Sequence, residues 1–343
     1  MNAIRTAPMT LFLLGPFLAC VWLGVRRTLL VGCAAAALGL ALGLSLGLGQ
    51  SQGQGALSTG EFGVGYGGLL AGCALAPYAA ARRTALRRAC TEAREAARGT
   101  QQLILRPLSR ELAGTHVCTR YHCAAPRSAI GGDLYDTAVT PYGLRVLVGD
   151  VRGHGVEALR LTAATVAAFR ELAYTAPDLP ALVTDLDKRL TPELEAEDFV
   201  TAVLAEFAPG EVRLVNCGHP APLRAGRRVE LLEPFAPVTP LGLAPDPRQY
   251  RVRLAPGDRL LLYTDGLTEA RSPEGVPFPL LPEATLALRE PLPDDALDSL
   301  YGRLVAHTGA RPVDDLALVL CQPSDAPAPV PAAASHSHPS GRD

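Results

Sequence analysis

Hydrophobic and polar positions divide the chain into two unlike parts. Before residue 82 the apolar positions run without interruption: MTLFLLGPFLACVWLGV (9–25), TLLVGCAAAALGLALGLSLGL (28–48) and FGVGYGGLLAGCALAPYAAA (62–81) contain no charged residue. Each is close to the roughly 20 residues with which a helix crosses a bilayer, so three membrane helices with these bounds are predicted. Pro16 and the many glycines leave two spans as the alternative. A signal peptide fits the first stretch poorly, because the second follows after only Arg26 and Arg27 and no A-x-A cleavage site precedes it. Arg26–Arg27 and the cluster Arg82, Arg83, Arg87, Arg88 flank alternate ends, while residues 49–61 hold no Lys or Arg. The positive-inside rule then places the region after residue 82 in the cytoplasm of a multi-pass plasma (inner) membrane protein in contact with lipid.

Beyond residue 82 the pattern becomes periodic. Leu86, Cys90, Ala93, Ala97, Thr100 and Ile104 step by four and three, which predicts a linker helix over 83–112 with a thin seam. A spacer is the simple reading of that helix, and a parallel homodimer stalk is the sharper one. From 113 to 321 the apolar runs shorten. GLRVLVGD, FVTAVLAEF, EVRLVNCG, RLLLYTDG and LALVLC end at turn residues and read as strands. Residues 155–175 and 294–309 carry helical spacing. RLLLYTD is apolar on both faces and should lie centrally in its sheet, covered on each side. The soluble part is therefore a mixed α and β domain. Residues 322–343, rich in Pro, Ala and Ser, read as a disordered tail; its His336 and His338 form a lone HxH, too little for a metal site.

Composition narrows the chemistry. The 343 residues carry a net charge of −2, without the basic balance expected of a nucleic-acid partner. Basic residues are almost all arginine, with Lys188 the single lysine. The eight cysteines form no CxxC pair, so neither a thiolate zinc site nor a disulfide scaffold is indicated.

Four acidic motifs stand at strand ends: GGDLYD (Asp133, Asp136), VGDVRGHG (Asp150), YTDGLTEA (Asp265) and VDDLALVL (Asp314, Asp315). Asp-Gly pairs are ordinary turn chemistry one at a time. Four of them, each abutting an apolar run, imply that the carboxylates converge at one edge if the runs share one sheet layer. Carboxylates so close cannot all ionise in a dry site without a counter-charge. Few basic residues adjoin them, and an all-oxygen set suits Mg²⁺ or Mn²⁺. Two such ions could hold a hydroxide for in-line attack on phosphorus, and the glycines would let a main-chain carbonyl such as that of Val151 approach.

GGDLYD, GDVRGHG, NCGHPAPL, LLLYTDGLTEAR and DDLALVL, in this order, resemble the bacterial PP2C-type (PPM) serine/threonine phosphatases of the sporulation and stress-response sigma-factor circuits. The likeness spans about 101–321, and TQQLILRPLS resembles the short helix that precedes the catalytic domain in that family. The resemblance implies an α+β fold: a two-sheet antiparallel β-sandwich flanked by α-helices, with a dinuclear Mn²⁺ or Mg²⁺ centre between the sheets. It implies Asp133, Asp150, Asp265 and Asp314 as catalytic metal ligands, Asp150 bridging, with the Val151 carbonyl. Asp136, Asp315 and His154 are secondary candidates, and Arg127 in APRSAIGGD is a candidate phosphate binder. His219 in NCGHP is read as loop-shaping, Cys217 as a small-residue replacement, and Arg152 as a variable position without a catalytic part.

The function implied is a membrane-anchored phosphatase in which metal-bound hydroxide attacks phosphoserine or phosphothreonine directly. Its substrate would be a small regulatory protein such as a STAS-type anti-sigma-factor antagonist. The alternative is a catalytically idle membrane receptor using the same fold to bind a partner, which should have lost one of the four principal aspartates. A two-metal nuclease would share the carboxylates but should add a basic groove.

Overall fold

The computed structural model describes residues 13–48, 59–123, 131–309, 312 and 314–324. It divides into two units, 1–95 and 96–343.

In the first unit, α1 (Leu14–Trp22) and α2 (Val25–Leu48) meet at a turn over Leu23 and Gly24, and α3 (Thr59–Ile104) contributes its N-terminal part. The turn therefore precedes Arg26 and Arg27, which lie in the first turn of α2. The first apolar stretch forms a helix of nine described residues; 9–12 lie outside the described residues. Among the described residues two helices are long and apolar enough to cross a membrane, within Val25–Leu42 and Val64–Ala93. Small residues let the helices approach: a Cβ on Gly32 would touch Cys73, and one on Gly39 would overlap Leu69, as in close-packed membrane helices. The Arg83 guanidinium donates to the carbonyls of Val21 and Leu23, satisfying main-chain acceptors that the end of α1 leaves open. Leu18, Trp22, Leu30, Leu44 and Val64 face outward, which is what a lipid-facing bundle requires.

The second unit is an antiparallel sandwich. One sheet has the order β3-β4-β5-β6-β9, from β3 (Asp133–Thr140), β4 (Gly143–Val151), β5 (Val200–Ala208), β6 (Glu211–Cys217) and β9 (Tyr250–Arg253). The other has the order β1-β2-β11-β10-β7-β8, from β1 (Ser109–Leu112), β2 (Thr115–His122), β7 (Leu223–Ala225), β8 (Val229–Leu231), β10 (Arg259–Tyr263) and β11 (Leu316–Pro323). Helices α4 (Val156–Leu172) and α5 (Leu179–Leu190) cover the first sheet; α6 (Leu280–Ala287) and α7 (Pro293–Thr308) cover the second.

Strand alternation explains why RLLLY is apolar on both faces after Arg259. Leu260 and Leu262 of β10, with Ala317, Val319 and Cys321 of β11, enter the core shared with the first sheet. Leu261, Tyr263, Leu316, Leu318 and Leu320 enter a second core beneath α6 and α7. Successive side chains on a strand point to opposite faces, and here both faces are covered. The strand accordingly lies inside its sheet with all five residues buried.

Two expected boundaries are corrected. The linker helix stops at Ile104 rather than 112, and Ser109–Leu112 is a strand paired with β2. Pro107 accounts for this, because proline biases the residue before it away from helical geometry. The tail begins later than 322: Gln322 and Pro323 pair with His116 and Thr115, and the Ser324 hydroxyl donates to Glu111. Residues 325–343 lie outside the described residues.

Candidate metal centre

Strand register brings the first two acids together. β3 and β4 pair antiparallel with Asp133 directly opposite Asp150, an arrangement in which like charges destabilise each other. The other acids come from the facing sheet. β10 ends at Tyr263, and Thr264 leads into a single 3₁₀ turn, Asp265–Leu267. β11 is the antiparallel neighbour of β10, so Asp314 and Asp315, just before its start, lie at the same end. The carboxylates thus meet where two sheets abut and not within one sheet layer, at the between-sheet position that the family resemblance implies.

Asp133, Asp150 and Asp265 each place a carboxylate oxygen within 4.8 Å of the other two. Asp133 is 1% exposed. The Thr264 hydroxyl donates to Asp133 Oδ2 at 2.6 Å and accepts from the Ala317 amide at 2.9 Å, tying the two sheets together beneath the cluster. Arg152, the one arginine among the described residues lining the cleft over this cluster, pairs with Glu197 and not with these acids. Burial, then the Asp150 charge, pushes the Asp133 carboxyl well above the ordinary range. Asp150 rises to about 7, through burial and then the charges of Asp265, Asp314 and Asp315. Asp265 rises through burial, then Asp314 and Glu269.

Glycine is required where main chain and carboxylates crowd. A Cβ on Gly132 would lie 2.2 Å from the Val151 carbonyl oxygen and 2.6 Å from Asp150 Oδ1; one on Gly266 would lie 1.9 Å from the Asp315 carbonyl oxygen. Gly155 has φ +98° and ψ −157° at the entry to α4, a conformation open essentially only to glycine. These residues fit a hard divalent cation: several oxygen donors, a main-chain carbonyl beside them, and no ion pair at any of the three carboxylates among the described residues.

The remaining candidates separate. Asp314 is exposed, and its Oδ1 accepts from the Asp315 amide at 2.9 Å. Asp315 is buried, with its carboxylate against Gly131. Asp136 stands three residues from Asp133, hence on the opposite strand face, and is paired with Arg170 at 2.6 Å. His154 is exposed in the turn before α4. Arg127 lies outside the described residues.

His219 is buried and neutral, held by burial at a pKa of about 3. Its Nε2–H donates to the Tyr263 carbonyl at 3.1 Å, so Nδ1 accepts from the Thr201 hydroxyl at 3.0 Å. Asn216 closes the turn, accepting from the His219 amide and donating to its carbonyl, both at 2.8 Å. This network braces β5, β6 and the end of β10 beside the acids. Thr264 and Thr201 were missed by sequence reasoning; the only sign of Thr264 is its place immediately before the Asp265 turn. A cleft of about 510 Å³ opens over the cluster, lined among others by Asp150, Arg152, Phe199, His219 and Asp265.

Residues 140–323 match the family model of stage II sporulation protein E (SpoIIE). This chain belongs to the SpoIIE family. The part matched takes in Asp150, Asp265, Asp314 and Asp315, and Asp133 joins them through its pairing with Asp150. Solved structures share the fold. One comprises the RsbU and RsbW domains of Rv1364c from Mycobacterium tuberculosis, 27% identical with a TM-score of 0.55, over 66% of this chain and 62% of that one. Another is the SiaA-PP2C domain of Pseudomonas aeruginosa, 24% identical with a TM-score of 0.58, over 70% of this chain and 99% of that one. The second unit is accordingly a SpoIIE-family PP2C-type phosphatase domain.

Proposed function

We propose that the chain is a membrane-anchored, metal-dependent protein serine/threonine phosphatase. The observation that carries this reading is the meeting of Asp133, Asp150 and Asp265 within 4.8 Å, with no ion pair to neutralise them among the described residues. Asp133 and Asp150 from one sheet, with Asp265 and Asp314 from the other and the Val151 carbonyl, would hold divalent metal, Mn²⁺ or Mg²⁺, as two ions. When bound, the ions supply positive charge and make water a competent nucleophile near neutral pH.

The chain's own groups do the rest. Thr264 holds Asp133 in one orientation by donating to its Oδ2. The His219 network holds the end of β10 in place beside Thr201. The open cleft admits a phosphorylated side chain presented by another protein. The apolar helices of the first unit anchor the domain in the bilayer, with the arginines after residue 82 on the cytoplasmic side.

The substrate is a phosphorylated STAS-type anti-sigma-factor antagonist. This rests on the family resemblance and on the M. tuberculosis neighbour, whose RsbU domain shares a structure with an RsbW domain. The test is phosphate release by the full chain from a phosphorylated STAS-domain protein and from a generic aryl phosphate, each in Mn²⁺ or EDTA. Metal-dependent turnover that prefers the phosphoprotein supports the reading. Metal-dependent turnover without preference refutes the substrate class, and no turnover by folded, metal-loaded protein refutes the phosphatase.

A further inference from the structure

A phosphate monoester approaching this cleft meets negative charge from the protein: Asp150, Asp265 and Glu269 all line it. Among the described lining residues the basic groups are Arg152 and His219, and burial keeps His219 neutral. Arg152 is therefore the only cation that the described cleft wall offers to a phosphoryl oxygen.

Its mounting suits that task. The main chain of Arg152 directly follows Val151, beside the acid cluster, and its amide donates to the Phe199 carbonyl at 3.1 Å. The guanidinium stands 5.7 Å from the centre of the Phe199 ring, which also lines the cleft. Its Nη1 donates to the Glu197 carbonyl at 2.5 Å, and its Nη2 pairs with Glu197 Oε2 at 3.2 Å. An arginine has five N–H donors in a planar fork, so these contacts orient the group and leave Nε–H and one N–H on each terminal nitrogen for a ligand. The side chain is 48% exposed while Glu197 is 84% exposed. The tether thus comes from the rim, and the guanidinium reaches the phosphate without a large desolvation cost.

We propose that Arg152 binds the phosphoryl group of the substrate, donating to its non-bridging oxygens from the wall of the cleft that Asp265 and Glu269 also line. This inference rests on the phosphatase reading of the site. It replaces the view of Arg152 as a variable turn residue, and it gives the described cleft a phosphate-binding cation independent of Arg127.

The experiment uses the full chain in detergent, loaded with Mn²⁺, as wild type, Arg152→Ala, Arg152→Lys and Glu197→Gln. Inorganic phosphate is titrated into each by calorimetry, after the bound Mn²⁺ has been measured to show that the metal centre is intact. Loss of a charge-assisted contact at a half-exposed group weakens phosphate binding about tenfold in Arg152→Ala. Arg152→Lys should recover part of the loss, and Glu197→Gln, which keeps an oxygen acceptor for Nη2 and the main-chain carbonyl for Nη1, should lose much less than Arg152→Ala does. With a phosphoserine peptide, the Arg152→Ala loss should fall on KM more than on kcat.

Wild-type phosphate affinity in Arg152→Ala overturns the proposal. So does an equal loss in Glu197→Gln, which would make Arg152 a tether for the loop, or the absence of phosphate binding by the wild type. Arg152-dependent phosphate binding in a protein that releases no phosphate from the peptide would sustain the assignment while refuting the phosphatase reading.

Discussion

Consider Asp150→Asn in protein stripped of divalent ions. The Asp150 carboxyl rises from 3.8 to about 7 because it is buried and faces Asp265, Asp314 and Asp315. Its pKa in the folded state exceeds that in the unfolded chain, so folding favours its protonated form. The associated stability is complete below about pH 4, declines as pH rises, and is gone above about pH 7. Three pKa units at 1.36 kcal/mol each amount to about 4 kcal/mol from this residue alone. Asp133 and Asp265 are displaced in the same direction and add to the decline. Asparagine carries no proton to lose. In EDTA, the variant should therefore be more stable than wild type at pH 8, by an amount of order 4 kcal/mol, and nearly equal to it at pH 4. In Mn²⁺ at pH 8 the order should reverse, since an ion that binds only the folded state stabilises wild type by mass action. The assay is urea unfolding of the full chain in detergent, read by pulse proteolysis of the opened domain. Equal stability of metal-free wild type at both pH values, or a less stable variant at pH 8 in EDTA, would refute the electrostatic reasoning.

Other substitutions test the supports of the site. Thr264→Val removes a donor to Asp133 and leaves the buried Ala317 amide without its acceptor; urea unfolding should register a loss of about 3 kcal/mol, and Thr264→Ser should restore most of it. Gly132→Ala forces a Cβ to 2.2 Å from the Val151 carbonyl oxygen, and Mn²⁺ titration should find affinity weakened about tenfold or more. Arg145 is fully buried, pairs with Glu206 at 2.7 Å and donates to the carbonyls of Ala173 and Ala176. Arg145→Ala should cost about 3–5 kcal/mol of stability, because it empties a buried site, leaves the carbonyls of Ala173 and Ala176 without their donor and leaves buried Glu206 with Arg213 alone.

Much of this architecture was legible in the chain. The five strand-like runs and two periodic helices predicted are all present, and the acids at strand ends follow from turn chemistry at the close of buried strands. Pairing between distant segments was not legible. Nothing local to GGDLYD or VGDVRGHG states that Asp133 faces Asp150, or that Asp265 arrives from a second sheet. β7 and β8 have three residues each, too few for a two-residue period to stand out. Two features could have been read. Leu179, Leu182, Val183, Leu186 and Leu190 form the buried stripe of α5, and Asp178 caps it by accepting from the Ala181 amide. The odd spacing of Asp133 and Asp136 already separates them onto opposite faces of one strand. Arg152 differs from both, since its standing depends on Glu197 and Phe199, which only the folded chain brings beside it.

The most direct test is phosphate release from a phosphoserine peptide by metal-free full-length protein as Mn²⁺ is added back, in wild type and Asp150→Asn. The account predicts no turnover in EDTA, turnover that rises and saturates with Mn²⁺ in the wild type, and a loss in the variant that excess Mn²⁺ does not repair. Turnover in EDTA equal to that in Mn²⁺, or wild-type turnover by Asp150→Asn, would contradict it.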